Sequence, residues 1–183
     1  KRVPAIQLVP TKTDADYARF VVSLITKIFK EKPSIGCYHN VTTITISGIN
    51  LVKSMLKIGL RVGNKVRQQV SIPNWILKDE KYAKASLRGL IDTDGGVYFH
   101  RHITHGKKYT HFGLTFTNHS RPLIKGVEKI LIKNGFSPSV VKQKRIYIYN
   151  LNEIKRYFKL IGSHNQKHLD RLNKYLNSSS KNF

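Results

Sequence analysis

Two aspartates, Asp92 and Asp94, stand one residue apart at the end of a helical pattern and directly before Gly95 and Gly96. A carboxylate in the last turn of a helix is disfavoured, because that end carries partial negative charge, unless something positive compensates. A divalent cation would do so, since carboxylate and free main-chain carbonyl oxygens are hard ligands suited to Mg²⁺. The plainer account is that the two acids only shape a turn, as Asp before Gly often does. On spacing alone that plainer account is preferred.

The helix that must position these acids has three faces. Ala83, Leu87, Leu90 and Ile91 recur at helical spacing and make an apolar stripe. Ala85, Ser86, Gly89 and Thr93 line a neighbouring face with small side chains, which lets another helix backbone approach. Lys81, Lys84 and Arg88 are expected on a wet face. Gly95-Gly96 is expected to supply a left-handed helix stop, and Val97 to His100 alternates as a strand. Of the ten acids in the chain, only Asp92 and Asp94 sit inside an apolar, glycine-terminated setting.

At these residues the chain resembles the LAGLIDADG homing endonuclease family. Seven of the nine motif letters match, at Leu87, Gly89, Leu90, Ile91, Asp92, Asp94 and Gly95. The departures are Arg88 and Thr93, where the motif has alanines; Thr93 should loosen helix approach slightly. With the resemblance, the metal reading of the acids becomes the preferred one.

Composition sets the limits. The 183 residues allow one or two small domains with a real core. Lys and Arg number 33 against 10 acids, a net charge of +23, so the chain is drawn to polyanions and nucleic acid is the expected partner. An anionic membrane surface is the weaker alternative, and a small basic RNA-binding structural protein is the rival class. The single Cys37 excludes an intramolecular disulfide and fits an intracellular home. No apolar run reaches transmembrane length and no signal peptide is visible. The chain opens on Lys1 and its one methionine is Met55, so it is expected to begin inside a longer protein.

Taken in order, the chain reads as two copies of one pattern. Residues 5–9 read as a strand, Thr13 or Asp14 as a cap, and 17–30 as a helix. Residues 35–38 and 41–47 form a strand pair about His39-Asn40, and 48–60 a helix. A basic loop at 61–65 and a connector at 70–76 follow, with Trp75 as a buried anchor. After the motif, 97–103 and 111–117 form a hairpin around Gly106, Lys107 and Lys108. A helix at 122–134, strands at 140–141 and 145–149 and a helix at 152–160 complete the second pass. Leu8/Leu114, Phe29/Phe136, Ile44-Thr45-Ile46/Ile146-Tyr147-Ile148 and Gly59/Gly162 correspond, which indicates an internal duplication. The boundaries read as 1–79 for a first repeat, 80–176 for a second repeat with its motif at 87–95, and 177–183 for a flexible tail. The first repeat lacks a lead helix and strand, which are expected upstream of Lys1.

The resemblance implies an α+β fold: a duplicated αββαββα arrangement with two saddle-shaped antiparallel sheets on the DNA major groove. It implies that Asp94 and the main-chain carbonyl of Thr93 bind Mg²⁺ or another divalent cation, while Asp92 supports the turn. Lys167, and Lys65 in the first copy, match a lysine placed near the reactive phosphate. Asn118 matches a water-orienting position, with turn or helix capping beside His119-Ser120 as its equal alternative.

Strand alternation with Val97, Phe99, Ile103, Leu114 and Phe116 inward turns Tyr98, His100, His102, Tyr109, His111, Thr115, Thr117, Tyr147 and Tyr149 outward. Tips of this kind suit base edges. Lys107, Lys108, Lys142, Lys144 and Arg145 would hold phosphates. A zinc site at His100, His102, His105 and His111 is disfavoured, because no Cys accompanies them and the face is open. The expected partners are double-stranded DNA and a missing motif segment, from the same protein or a second chain. One acid alone gives half a site, so this chain should bind DNA but cut poorly. The rival within the family is a non-cleaving relative, an intron RNA maturase or a DNA-binding regulator.

Overall fold

The computed structural model describes the backbone of residues 5–8, 15–38 and 41–179, and the side chains of 15–37, 42–100, 103–106 and 110–177. The Thr13/Asp14 cap, the His39-Asn40 turn and the side chains of His102, Lys107, Lys108 and Tyr109 lie outside the described residues. The chain divides into two compact units, Lys1–Val62 with His164–Gln166, and Gly63–Ser163 with Lys167–Phe183. Residues 63–79, grouped with the first repeat by sequence, therefore pack with the second unit.

In the first unit, β1 (Ala5–Leu8) is followed by α1 (Ala15–Phe29), β2 (Ser34–Tyr38), β3 (Val41–Ser47) and α2 (Ile49–Lys57). The antiparallel sheet has the order β1-β3-β2. Ile44 and Ile46, alternate residues of β3, meet Ile25 of α1 in a small core flanked by Val21, Val22, Phe29 and Leu51.

In the second unit, α3 (Asn74–Lys78) leads into α4 (Glu80–Asp94), which runs straight into β4 (Gly95–Thr104) and then β5 (Lys107–Thr117). Next come α5 (Arg121–Lys133), β6 (Ser139–Val141), β7 (Arg145–Ile148), α6 (Leu151–Leu160) and α7 (Gln166–Ser179). The sheet order is β4-β5-β7-β6, antiparallel throughout. One face buries Val97, Phe112, Leu114, Phe116, Ile146 and Ile148 against Leu87 and Ile91 of α4, Leu123, Val127, Ile130 and Leu131 of α5, and Ile154 and Tyr157 of α6. Truncating a fully buried member such as Leu87 to Ala should cost about 2–5 kcal/mol. The architecture is α+β, as expected.

Several details differ from the sequence reading. Gly95 is not left-handed: its φ of −107° and ψ of −167° are extended, and it pairs with Phe116 as the first residue of β4. A Cβ there would lie 2.7 Å from the Ile91 carbonyl oxygen and 2.8 Å from the Thr115 oxygen, so close backbone approach demands the glycine. The hairpin turn is His105-Gly106, with φ of 49° and 75°, the two-residue left-handed turn that matches strand twist. Trp75 is 45 % exposed on α3, edge-on to Tyr82, because so short a helix covers only Ile76 and Leu77 against the core. Ile103 is 67 % exposed, since the hairpin's far end outruns the helices that cover its base. Arg88 is half-buried, not wet. Asn177 to Ser179 continue α7; its apolar spacing at Leu169, Leu172, Tyr175 and Leu176 was the overlooked signal.

Strand order β1-β3-β2 repeats β5-β7-β6, and α1, β2, β3, α2 repeat α5, β6, β7, α6. Gly59 and Gly162 follow the equivalent helices α2 and α6 at φ of 104° and 80°. The register corrects one correspondence. Leu8 faces Ile44 while Phe116 faces Ile146, so Leu8 corresponds to Phe116, not to Leu114.

Candidate active site and nucleic-acid face

The motif helix is set from its start. Asp79 caps it by accepting from the Tyr82 N–H at 2.9 Å, and Lys84 pairs with Glu80 at 2.5 Å one turn on. That pairing, mainly the Lys84 hydrogen bond, lowers the Glu80 pKa from its ordinary value. Ala83, Leu87 and Ile91 are buried, whereas nothing lies within 4 Å of a Cβ built on Gly89. The small-residue face is thus open at Gly89. Thr93 turns its hydroxyl back onto the Gly89 carbonyl at 2.9 Å.

Asp94 is the last residue of α4, with a side chain 31 % exposed. Two donors meet its Oδ2: the Asn118 amide nitrogen at 3.0 Å and the Lys65 ammonium at 3.4 Å. Both offset the negative end of the helix, which otherwise disfavours a carboxylate there. Three positions singled out in the sequence, Asp94, Lys65 and Asn118, are therefore together. The Lys65–Asp94 pair is open to solvent, with Lys65 62 % exposed, and such a pair contributes only about 0–1 kcal/mol.

Lys65 reaches Asp94 because its loop is fastened to the start of α5. Asn64 accepts from the Val66 and Arg67 N–H groups at 3.0 Å, making one capped turn with Lys65 in it. The Gln69 side chain accepts from the Arg121 N–H at 3.0 Å and donates to the His119 carbonyl at 3.3 Å. The Ser120 hydroxyl donates to the Val70 carbonyl at 2.6 Å. Asn118 makes the expected turn contact and also reaches Asp94. Its oxygen accepts from the Ser120 N–H at 2.9 Å while its amide nitrogen donates to Asp94.

Asp92 turns away from Asp94 into the protein. Its side chain is 1 % exposed and accepts from the Ser163 hydroxyl at 2.5 Å, with His168 Nδ1 3.8 Å away. Lys167, half-buried, is the second residue of α7, next to His168. Ser163 and His168 were not singled out from sequence; a polar run just after a helix carries no spacing rule that would have marked them. Burial, and next the negative charge of Asp92, push the Tyr157 phenol well above its ordinary range, with Arg88 opposing.

Among the described residues, the opposite face of the sheet carries outward side chains expected from alternation. Tyr98, His100, His111, Gly113, Tyr147 and Tyr149 surround a hollow of about 420 Å³. Tyr98 lies across Gly113, where a Cβ would come within 2.5 Å of its ring. Tyr147 stacks on Tyr149 at 5.4 Å. Burial, then the neighbouring Tyr149 and Tyr147, raise the Tyr98 pKa. Thr115 and Thr117 continue this face by register with Tyr147 and Arg145. Lys142, Lys144 and Arg145 are exposed at the β6–β7 turn, where Lys142 and Gln143 hold φ of 51° and 52°.

Residues 81–162 match the family model of the LAGLIDADG-like domain. Solved structures extend the likeness of fold to nearly the whole chain. The LAGLIDADG meganuclease I-AabMI, bound to uncleaved DNA, aligns with a TM-score of 0.61 and 13 % identity over 96 % of this chain and 80 % of its own. I-SmaMI, bound to an uncleaved DNA target in the presence of calcium ions, gives 0.64 and 13 % over 98 % and 82 %. I-SmaMI bound to cleaved DNA gives 0.60 and 12 % over 92 % and 75 %. A comparison with curated protein sequences gives no match. Among the described residues no helix is long and apolar enough to cross a membrane.

Proposed function

We propose that this chain is the DNA-binding and catalytic part of a homing endonuclease that hydrolyses phosphodiesters of double-stranded DNA at a specific site. One observation carries the reading: Asp94, at the tip of the motif helix, shares its Oδ2 with Lys65 and Asn118 while keeping a third of its side chain open to solvent. A carboxylate at a helix C-terminus beside main-chain carbonyls is a hard-oxygen donor set, which fits Mg²⁺. The weak exposed ion pair with Lys65 is no obstacle to such an ion. Among the described residues no group of three or more His, Cys, Asp or Glu side chains converges, so Asp94 supplies part of an ion site. The remaining ligands would come from water, a DNA phosphate and an acid on a second motif helix. That helix would lie on the small-residue face that is open at Gly89, supplied by another segment of the same protein or by a second chain.

A bound divalent ion would activate water and stabilise the leaving oxygen. Within the chain, Asp94 and the Thr93 carbonyl would hold it. Asn118 would fix the carboxylate, and through it a water, in one orientation. Lys65 would move from Asp94 to the phosphate when the ion takes its place, and Lys167 would supply a second positive charge there. On the outer sheet face, Tyr98, His100, His102, Tyr109, His111, Thr115, Thr117, Tyr147 and Tyr149 would read bases. Lys107, Lys108, Lys142, Lys144 and Arg145 would hold phosphates. Solved structures of similar fold are bound to DNA, which supports duplex DNA as the partner.

The test is incubation of the complete protein, with the segment or chain that supplies the second motif helix, with a randomised duplex-DNA library in Mg²⁺, followed by sequencing of cut ends. Cutting at one long site by the wild type, lost in Asp94→Asn with binding retained, is the expected result. Equal cutting by both would remove Asp94 from the mechanism. Sequence-specific binding without cutting by the complete protein would instead make it a non-cleaving relative.

A further inference from the structure

The motif carries two acids and the proposed reaction uses one. The buried partner, Asp92, sits where three contacts from beyond α6 meet the junction between α4 and β4. The Ser163 hydroxyl donates to Asp92 Oδ1 at 2.5 Å. The His168 ring lies between Asp92 and Gly96, the residues that bracket Asp94. Its Nδ1 is 3.8 Å from Asp92 Oδ1, and its Nε2 is 3.8 Å from where a Gly96 Cβ would stand. One turn later, Arg171 donates to the Val97 carbonyl at 2.8 Å. His168 is 5 % exposed on its side chain, and its Nδ1 is sealed from water without a hydrogen bond. A buried carboxylate is tolerated only when such partners surround it.

We infer that Asp92 is a positioning residue: it locks the first turn of α7, and with it Lys167, onto the junction that carries Asp94. The helix end that offers its acid to an ion and the helix start that offers a lysine to the phosphate are thereby one rigid piece. Asp92 instead faces Ser163 and His168, with its side chain closed to solvent. This inference rests on the role given to Lys167 above.

The test uses Asp92→Asn, Lys167→Ala and the double variant in the complete protein with its second motif helix, with three readouts. These are the single-turnover cleavage rate in Mg²⁺, DNA affinity in Ca²⁺, and amide hydrogen exchange over residues 166–171. Displacing Lys167 by an ångström should slow Asp92→Asn roughly 10- to 100-fold with little change in DNA affinity. Exchange over 166–171 should quicken. In the Lys167→Ala background, Asp92→Asn should cost nothing further, because a residue acting only through another is silent once that other is gone. Additive losses would overturn the inference, and so would unchanged exchange. If the wild type does not cut while Asp92→Asn still quickens exchange, the locking stands and the nuclease reading fails. Should Asp92→Asn not fold, Ser163→Ala removes one contact to the same carboxylate and is read the same way.

Discussion

Gly89 and Gly95 lie six residues apart at the core of the motif, and the structure assigns opposite signs to the same change at each. At Gly95 the backbone torsions suit alanine, so the cost is steric. The new Cβ would stand 2.7 Å from the Ile91 oxygen, 2.8 Å from the Ile91 Cα and 2.8 Å from the Thr115 oxygen. All three are backbone atoms of a helix and a central strand, which cannot rotate away. Ordinary carbon contacts are about 3.5–4.0 Å, so the α4–β5 spacing must open by roughly half an ångström or more. Overpacking of this kind costs about 1–3 kcal/mol. At Gly89 nothing lies within 4 Å, and Gly→Ala in an open helix interior gains about 0.5–1 kcal/mol. The two variants should therefore differ by roughly 1.5–4 kcal/mol, at about 2–4 °C in Tm per kcal/mol for a chain of this length. Urea denaturation followed by the fluorescence of Trp75, the single tryptophan and a residue of the second unit, measures it. Gly95→Ala within about 0.5 kcal/mol of wild type, or Gly89→Ala the less stable of the two, would refute the packing argument.

Three further outcomes are expected. Asn118→Ala leaves the buried Ser120 N–H without its acceptor and should cost about 1–3 kcal/mol, read by the same urea titration. Asn118→Asp sets a second carboxylate against Asp94 Oδ2, so its Tm should fall in EDTA and recover with Mg²⁺ or Ca²⁺ by more than the wild type gains. The Tyr98 phenol should titrate above the ordinary value by absorbance at alkaline pH. Because the fold holds that proton more tightly, the stability it contributes is complete below the ordinary phenol pKa and is lost as pH rises through the folded value; Tyr98→Phe should remove this loss. In DNA binding, Lys142→Ala should lower the slope of log affinity against log salt by about one without changing site preference, whereas Tyr147→Ala should change preference.

Most elements were legible from apolar spacing, and the central pair of features, an acid at a helix tip passing into a strand, was written in residues 87–98. Pattern failed where a residue's reason lies in distant neighbours. Gly95 reads as a helix stop because glycine usually is one; only the nearness of β5 reveals it as a spacer. Trp75 reads as core by its size, but α3 is too short to bury both faces. Ser163 and His168 follow no spacing tied to Asp92, and 71 and 76 residues of chain separate them from it. Asn118 left two roles open; its oxygen fills the turn role, and its amide nitrogen turns to Asp94, a contact no spacing rule marked.

Lys65 has a double allegiance. By sequence it closes the first repeat; by its fastening through Asn64, Gln69 and Ser120 it is part of the second unit, a fingertip from Asp94. Anyone exchanging halves between such proteins would be tempted to splice near residue 79, ahead of the motif helix. That splice would leave Asp94 with a stranger's lysine. The natural seam lies between Val62 and Gly63, and chimeras joined there should keep the acid and its cation as an inherited pair.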